Sequence, residues 1–208
     1  MRKILSCLVL FCVSVSAWSQ FSVGAGATYT QFNGRVKKST HGFQTRLLYE
    51  KRPYGIVLGY SYYAPLRLQT WAVSNSSYPE PTQHAETELT VRIQSINLFI
   101  LRTILGSGDT KAKLYGGLGA SWEVSTYKET PKAPLTFTPI FPLEDNQYRG
   151  LNINGMLGSE YKLGRISIFG EASYSIPTKA RYMNSIGDFN IAAPRQSFQI
   201  GIKLKLHK

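Results

Sequence analysis

The stretch Phe198-Gln199-Ile200-Gly201-Ile202-Lys203-Leu204-Lys205-Leu206 alternates apolar and polar residues without a break. Side chains of a β-strand point alternately to its two faces, so this stretch has one wholly apolar face and one of Gln, Gly and Lys. Helical winding would scatter both classes around a cylinder.

Six further segments keep the same period of two. In 165–176, Ile166, Ile168, Ala172, Tyr174 and Ile176 oppose Ser167, Glu171, Ser173 and Ser175. In 150–163, Leu151, Ile153, Leu157, Tyr161 and Leu163 oppose Asn152, Asn154, Glu160 and Lys162. Segment 111–127 sets Leu114, Leu118, Ala120, Trp122 and Val124 against Lys113, Gly117, Gly119, Ser121 and Glu123. Segment 54–64 groups Tyr54, Ile56, Leu58, Tyr60 and Tyr62 opposite Gly55, Gly59 and Ser61. In 42–51, Phe43, Leu47 and Tyr49 lie opposite Gln44, Arg46 and Glu50. In 21–32, Phe21, Val23, Ala25, Ala27 and Tyr29 face away from Ser22, Gly24, Gly26, Thr28 and Thr30. Segment 88–104 changes phase: Leu89, Val91 and Ile93 share one parity, and Ile96, Leu98 and Ile100 the other. A β-bulge near Ser95 would restore a single apolar face; a strand buried on both sides is the alternative.

The connections are unequal. Lys51-Arg52-Pro53, Gly106-Ser107-Gly108-Asp109 and Gly164-Arg165 are tight turns by composition, while 33–41 spans about nine residues and 65–87, 128–149 and 177–194 about twenty each. Short turns at one end, long loops at the other and an even strand number are the pattern of outer-membrane barrels. Each segment reaches the ~9–11 residues a tilted strand needs to cross a bilayer. The fold expected is all-β: an eight-stranded antiparallel up-and-down transmembrane β-barrel.

A soluble barrel would alternate too, with its apolar face inside. Three features favour lipid outside. The polar faces are crowded with Gly and Ser, suiting a narrow lumen. Seven apolar faces carry no charge, the exception being Arg102, close to a turn. Aromatic residues gather near strand ends, with Tyr29, Tyr62, Trp122 and Tyr174 toward the loops and Phe21, Tyr49, Tyr54 and Tyr161 toward the turns, as two interfacial girdles.

The N-terminus reads as an export signal over 1–19: Arg2 and Lys3, an apolar run from Ile4 to Val15, and a small-residue exit at Ala17-Trp18-Ser19. The run is too short for a transmembrane helix. Cleavage after Ser19 would leave a single barrel domain, 20–208. Both cysteines, Cys7 and Cys12, leave with the signal, so disulfides, thiol catalysis and zinc–thiolate sites are excluded from the mature chain. Losing Arg2 and Lys3 lowers the formal charge from +12 to about +10. The basic residues are scattered and no nucleic-acid motif accompanies them. For an exported chain, outer-membrane lipids and lipopolysaccharide are the natural counter-charges.

The pattern resembles the OmpX and PorT-like group of small outer-membrane β-barrel proteins. The resemblance covers the mature chain and is carried most by Val91-Arg92-Ile93-Gln94-Ser95-Ile96-Asn97-Leu98-Phe99-Ile100 and Leu114-Tyr115-Gly116-Gly117-Leu118-Gly119-Ala120. These look like the group's apolar strand and Gly-rich strand. The resemblance implies outer-membrane localisation and an interaction role in envelope assembly or secretion, with no catalytic residues to transfer. Such barrels often end in an aromatic residue; this chain ends Leu206-His207-Lys208.

Eight strands enclose an interior that side chains can fill. Seven charged residues are placed in it: Arg46, Arg92 and Glu123 toward the loops, Lys113, Glu160 and Lys203 toward the turns, and Glu171 at mid-height. Charges in a poorly hydrated lumen must pair, so two clusters plugging the barrel are expected, with a proton or ion path as the alternative. Catalysis is not expected. His84, Glu86 and the serines Ser74, Ser76 and Ser77 share a loop, but polar loops hold such residues by default. His41, His84 and His207 share no ligand spacing, so neither metal nor cofactor is expected. Loop 128–149 is apolar for a surface connection, and its Leu135, Phe137, Ile140, Phe141 and Leu143 form either a cap on the barrel mouth or a partner-binding surface. Arg35, Lys37 and Lys38 in the first loop are candidate contacts to lipopolysaccharide phosphates.

Overall fold

The computed structural model describes residues 20–33, 37–74, 84–106, 110–131, 137–139, 147–178 and 194–206. The anticipated export signal lies outside them. The strands are β1 (Phe21–Asn33), β2 (Lys37–Lys51), β3 (Tyr54–Ser74), β4 (His84–Leu105), β5 (Ala112–Pro131), β6 (Phe137–Pro139), β7 (Gln147–Leu163), β8 (Ile166–Pro177) and β9 (Arg195–Lys205). Eight of them run in the order β2-β1-β9-β8-β7-β5-β4-β3, every pair antiparallel, and β3 pairs back onto β2 to close the sheet. The seam between first and last strands is continuous: β1–β9 pairing is extended by Leu206 N donating to Phe21 O at 3.0 Å and Asn33 N to Pro194 O at 2.8 Å. Closure leaves no free edge around the barrel, which is what lets a sheet sit in lipid.

The turns fall where composition placed them. β7 and β8 are joined at Gly164, whose φ of +71° is the left-handed conformation that glycine adopts without steric cost. Gly106, at +81°, does the same where β4 ends. At the other end the strands run well past the bilayer. β3, β4 and β5 hold 21, 22 and 20 residues, twice what a crossing needs. Much of the anticipated loops 65–87 and 128–149 is therefore strand: 66–73 pairs with 84–91, and Pro131 pairs with Thr87. β2 leaves β3 at Gly42↔Tyr63, so β3–β4–β5 rise beyond that point as a wall. The three-residue β6 pairs with the end of that wall, Phe137 opposite Ser74.

Alternation sorts the faces as expected in seven segments. Val23, Tyr29, Phe43, Ile56, Leu118, Ile153, Ile168, Ile200 and Ile202 are exposed on the outside, and Ser22, Thr28, Gln44, Ser61, Ser121, Asn154 and Ser167 are buried in the lumen. β4 differs from expectation. It carries no bulge at Ser95: burial alternates strictly, with Leu89, Val91, Ile93, Ser95, Asn97, Phe99 and Leu101 inside and Arg92, Gln94, Ile96, Leu98 and Ile100 outside. The bulge lies on its neighbour, where Tyr63 and Leu66 of β3 face Ile93 and Val91, so the extra residue falls at Ala64-Pro65. Proline, which cannot donate to the ladder, is at home there.

The lumen is layered. Toward the turns, Leu48, Val57, Phe99, Leu101 and Tyr115 form an apolar cluster with Met156 against it. Toward the loops, Phe32, Tyr63, Leu66, Leu68, Leu89, Val91 and Ile93 are all buried. Polar and charged side chains lie between and around these layers.

Candidate functional site

Among the described residues, lumenal ion pairs occur in three groups. Nearest the turns, Lys203 Nζ contacts Glu160 Oε2 at 2.6 Å and Glu50 Oε2 at 3.3 Å, and Lys113 pairs with the other oxygen of Glu50. Two cations and two carboxylates from β2, β5, β7 and β9 thus interlock across the barrel. In the middle, Arg46 of β2 pairs with Glu171 of β8, and both side chains are nearly dry, at 3% and 5% exposure. Glu171 Oε1 also accepts from Tyr115 Oη at 2.6 Å, while the Arg46 guanidinium lies 3.4 Å from the Phe169 ring centroid. Nearest the loops, Arg195 of β9 pairs with Glu123 of β5. Ser125 Oγ donates to Glu123 at 3.3 Å and Asn152 Nδ2 at 3.4 Å, and the Arg195 guanidinium stands 5.7 and 5.9 Å from the Phe32 and Tyr63 ring centroids.

Glycine makes room for the central group. A Cβ on Gly158 would lie 2.7 Å from the Tyr115 ring and 2.8 Å from Glu171 Cγ, so only glycine lets the tyrosine lie flat across the lumen. A cavity of about 40 Å³ remains beside it, lined by residues that include Gln44, Arg46, Asn97, Asn154, Glu171 and Gln199. That is space for two or three waters. Arg46 Nε and Gln199 Nε2, buried donors without a protein acceptor, both border it.

Six of the seven residues anticipated as lumenal charges lie there, in three groups instead of the two clusters expected. Arg46 joins Glu171 at mid-height, and Lys113 reaches Glu50 across the barrel although Glu160 is its neighbour in register. Arg92 is corrected outright: it faces outward, because β4 keeps its phase through Ser95. Arg195, Glu50 and Tyr115 were missed. Arg195 shares the parity of Gln199 and Lys203, and Glu50 that of Gln44 and Arg46, so alternation alone would have found both. Tyr115 carried no such signal, since an aromatic residue reads first as girdle; its seat depends on Gly158 from another strand.

Of the expected girdles, Tyr29, Tyr54, Trp122, Tyr161 and Tyr174 are exposed on the outer wall. Phe21, Tyr49 and Tyr62 are half-buried against ring neighbours: Phe21–Tyr49 centroids are 5.1 Å apart, and Phe43–Tyr62 5.6 Å. Arg102 is also outside, beside the turn at Pro53, whose carbonyl accepts from Thr103 N at 2.8 Å. Of the loop candidates, Phe137 lies in β6, while Leu135, Ile140, Phe141 and Leu143 fall outside the described residues, as do Arg35, Ser76 and Ser77. Lys37, Lys38 and His41 are exposed on β2.

No protein-family model matches the sequence, and no curated protein matches it. Solved structures do. Neisserial surface protein A is similar over 90% of this chain and 97% of its own, with a TM-score of 0.54 at 13% identity. A major outer membrane protein from Thermus thermophilus is similar over 88% of this chain and 98% of its own, with a TM-score of 0.52 at 12% identity. The fold is that of a small outer-membrane β-barrel. An outer-membrane barrel explains the two surfaces together: the apolar wall needs lipid, and the buried lumenal charges need one another.

Proposed function

We propose that this outer-membrane barrel is a structural and interaction protein with a plugged lumen, acting through its extracellular end. The carrying observation is the three-group lumenal ion-pair network around a cavity of only about 40 Å³. A solute path would have to part Arg46 from Glu171. Breaking a buried pair costs about 3–5 kcal/mol. At roughly 1.4 kcal/mol per decade, an open conformer would be about one molecule in 10² to 10⁴. With conduction and catalysis disfavoured, the hairpins carry the role, serving an envelope-assembly or secretion partner. Segment 128–149, with Leu135, Phe137, Ile140, Phe141 and Leu143, is the partner-binding element, and Arg35, Lys37 and Lys38 meet lipopolysaccharide phosphates. The pairing of β6 with the outermost residues of β3 supports this, since it ties the middle of that apolar segment to the far end of the wall.

In planar bilayers the purified barrel should give no stable conductance above a few tens of picosiemens, a rough threshold for an interior this narrow. Larger regular steps would overturn the plug. A partner recovered from envelopes with the full chain and lost on deleting 128–149 would support the loop assignment; recovery unaffected by the deletion would refute it.

A further inference from the structure

The outward turn of Arg92 places it in a cluster of cations on the outer face of the wall. Arg67 and Lys128 stand on either side of Thr90, in one register row across β3, β4 and β5. Arg92 is two residues below Thr90, hence the diagonal neighbour of both, about 7–8 Å away. Arg149 of β7 lies opposite Val124, one strand further round and two residues lower than Thr126, the partner of Arg92. All four are exposed; the Arg67 side chain is 77% exposed. Glu88 lies 3.6 Å from Arg67 at the upper edge of the cluster, and Glu86 is paired further up, opposite Trp71.

The height of the cluster is set by its own strands. Arg92 lies four residues above Ile96, Lys128 six above Trp122 and Arg149 two above Leu151, and Ile96, Trp122 and Leu151 are one another's register partners on the exposed apolar wall. A strand tilted by ~40° climbs about 2.5 Å per residue, so the four cations begin just above the aromatic row, at headgroup level. They are on the end that carries the long hairpins, the outer side of such barrels. Like charges at diagonal sheet positions repel, and an anion bearing several charges relieves that repulsion while accepting charge-assisted hydrogen bonds.

We propose that Arg67, Arg92, Lys128 and Arg149 form a binding site for the phosphate groups of outer-leaflet lipopolysaccharide. Trp122 borders its acyl region. The site rests on the outer-membrane interaction reading above, but it is separate from Lys37 and Lys38 on β2. The clustering of four cations matches a headgroup bearing several phosphates better than a single-phosphate phospholipid.

The test is titration of the full-length barrel, folded in phosphatidylcholine nanodiscs, with purified lipopolysaccharide. Arg92→Glu/Lys128→Glu should weaken binding at least tenfold, Arg92→Lys/Lys128→Arg should retain it within about threefold, and Lys37→Glu/Lys38→Glu should leave it within about threefold. Chemically dephosphorylated lipopolysaccharide should bind the wild type as weakly as intact lipopolysaccharide binds the charge-reversed variant. Heat-dependent electrophoretic mobility like that of wild type shows that each variant is folded. Unchanged affinity in Arg92→Glu/Lys128→Glu overturns the site. Loss confined to Lys37→Glu/Lys38→Glu overturns it too and leaves the first-hairpin contact standing. Phosphatidylglycerol competing equally at matched charge overturns the assignment to lipopolysaccharide, and absence of phosphate-dependent binding by the wild type overturns both readings.

Discussion

Replacing Glu171 with leucine should destabilise the barrel by about 3 kcal/mol, and replacing Arg46 as well should recover most of that loss. In Glu171→Leu the Arg46 guanidinium stays in a lumen where its side chain is 3% exposed, now without its carboxylate. Removing one partner of a buried pair costs about 3–5 kcal/mol. Phe169 beneath the guanidinium and the adjoining cavity soften the penalty, which sets the expectation at the lower end. Tyr115 also loses its acceptor, worth about 1–3 kcal/mol if nothing replaces it. In Arg46→Leu/Glu171→Leu no unpaired charge remains, and buried pairs exchanged for apolar residues are often neutral or better. The double variant should therefore lie within about 1–2 kcal/mol of wild type, with only the tyrosine hydroxyl short of a partner. Urea unfolding in vesicles, followed by tryptophan fluorescence and by the fraction of heat-shiftable protein, gives each corner of the cycle. Single variants costing under about 1 kcal/mol, or a strictly additive double, would refute the claim that Arg46 and Glu171 form one buried unit.

Two other substitutions probe the outer wall and the lumen separately. Leu118→Arg places a cation at mid-strand on the outer wall, where the leucine is 72% exposed, and should cost about 2–4 kcal/mol in a bilayer; a change below about 0.5 kcal/mol would mean that this face meets water. Gly158→Val should cost about 1–3 kcal/mol by driving the Tyr115 ring off its seat, and a neutral result would show that the tyrosine lies elsewhere.

The strands were legible because a membrane barrel writes its two environments on alternate residues, and Phe198 to Leu206 or Ile166 to Ile176 carry that pattern with no interruption. β4 misled for a physical reason. From Ile96 downward its outer face meets acyl chains, so Ile96, Leu98 and Ile100 point out. Above it the outer face meets headgroups, while Leu89, Val91 and Ile93 turn inward with Phe32, Tyr63, Leu66 and Leu68. Polarity thus changes faces at the membrane boundary while the strand keeps its phase, and a sequence reader sees a phase slip. The same inversion hid the outward direction of Arg92. Ion-pair partners were less legible than lumenal positions, because pairing depends on which strands face each other across the barrel. Lys113 illustrates this: register sets it beside Glu160, yet its ion partner is Glu50 on β2. Strand length was underread as well, since 65–74 and 84–87 form a hairpin above the bilayer that composition alone marks as loop.

The most direct test of the barrel itself is electrophoretic mobility in detergent before and after boiling, on full-length protein folded in vesicles. A closed barrel with continuous β1–β9 pairing resists unfolding by the detergent, so the unboiled sample should run as a distinct, compact band that shifts only on heating. A single band at the same position with and without boiling would contradict a closed transmembrane barrel.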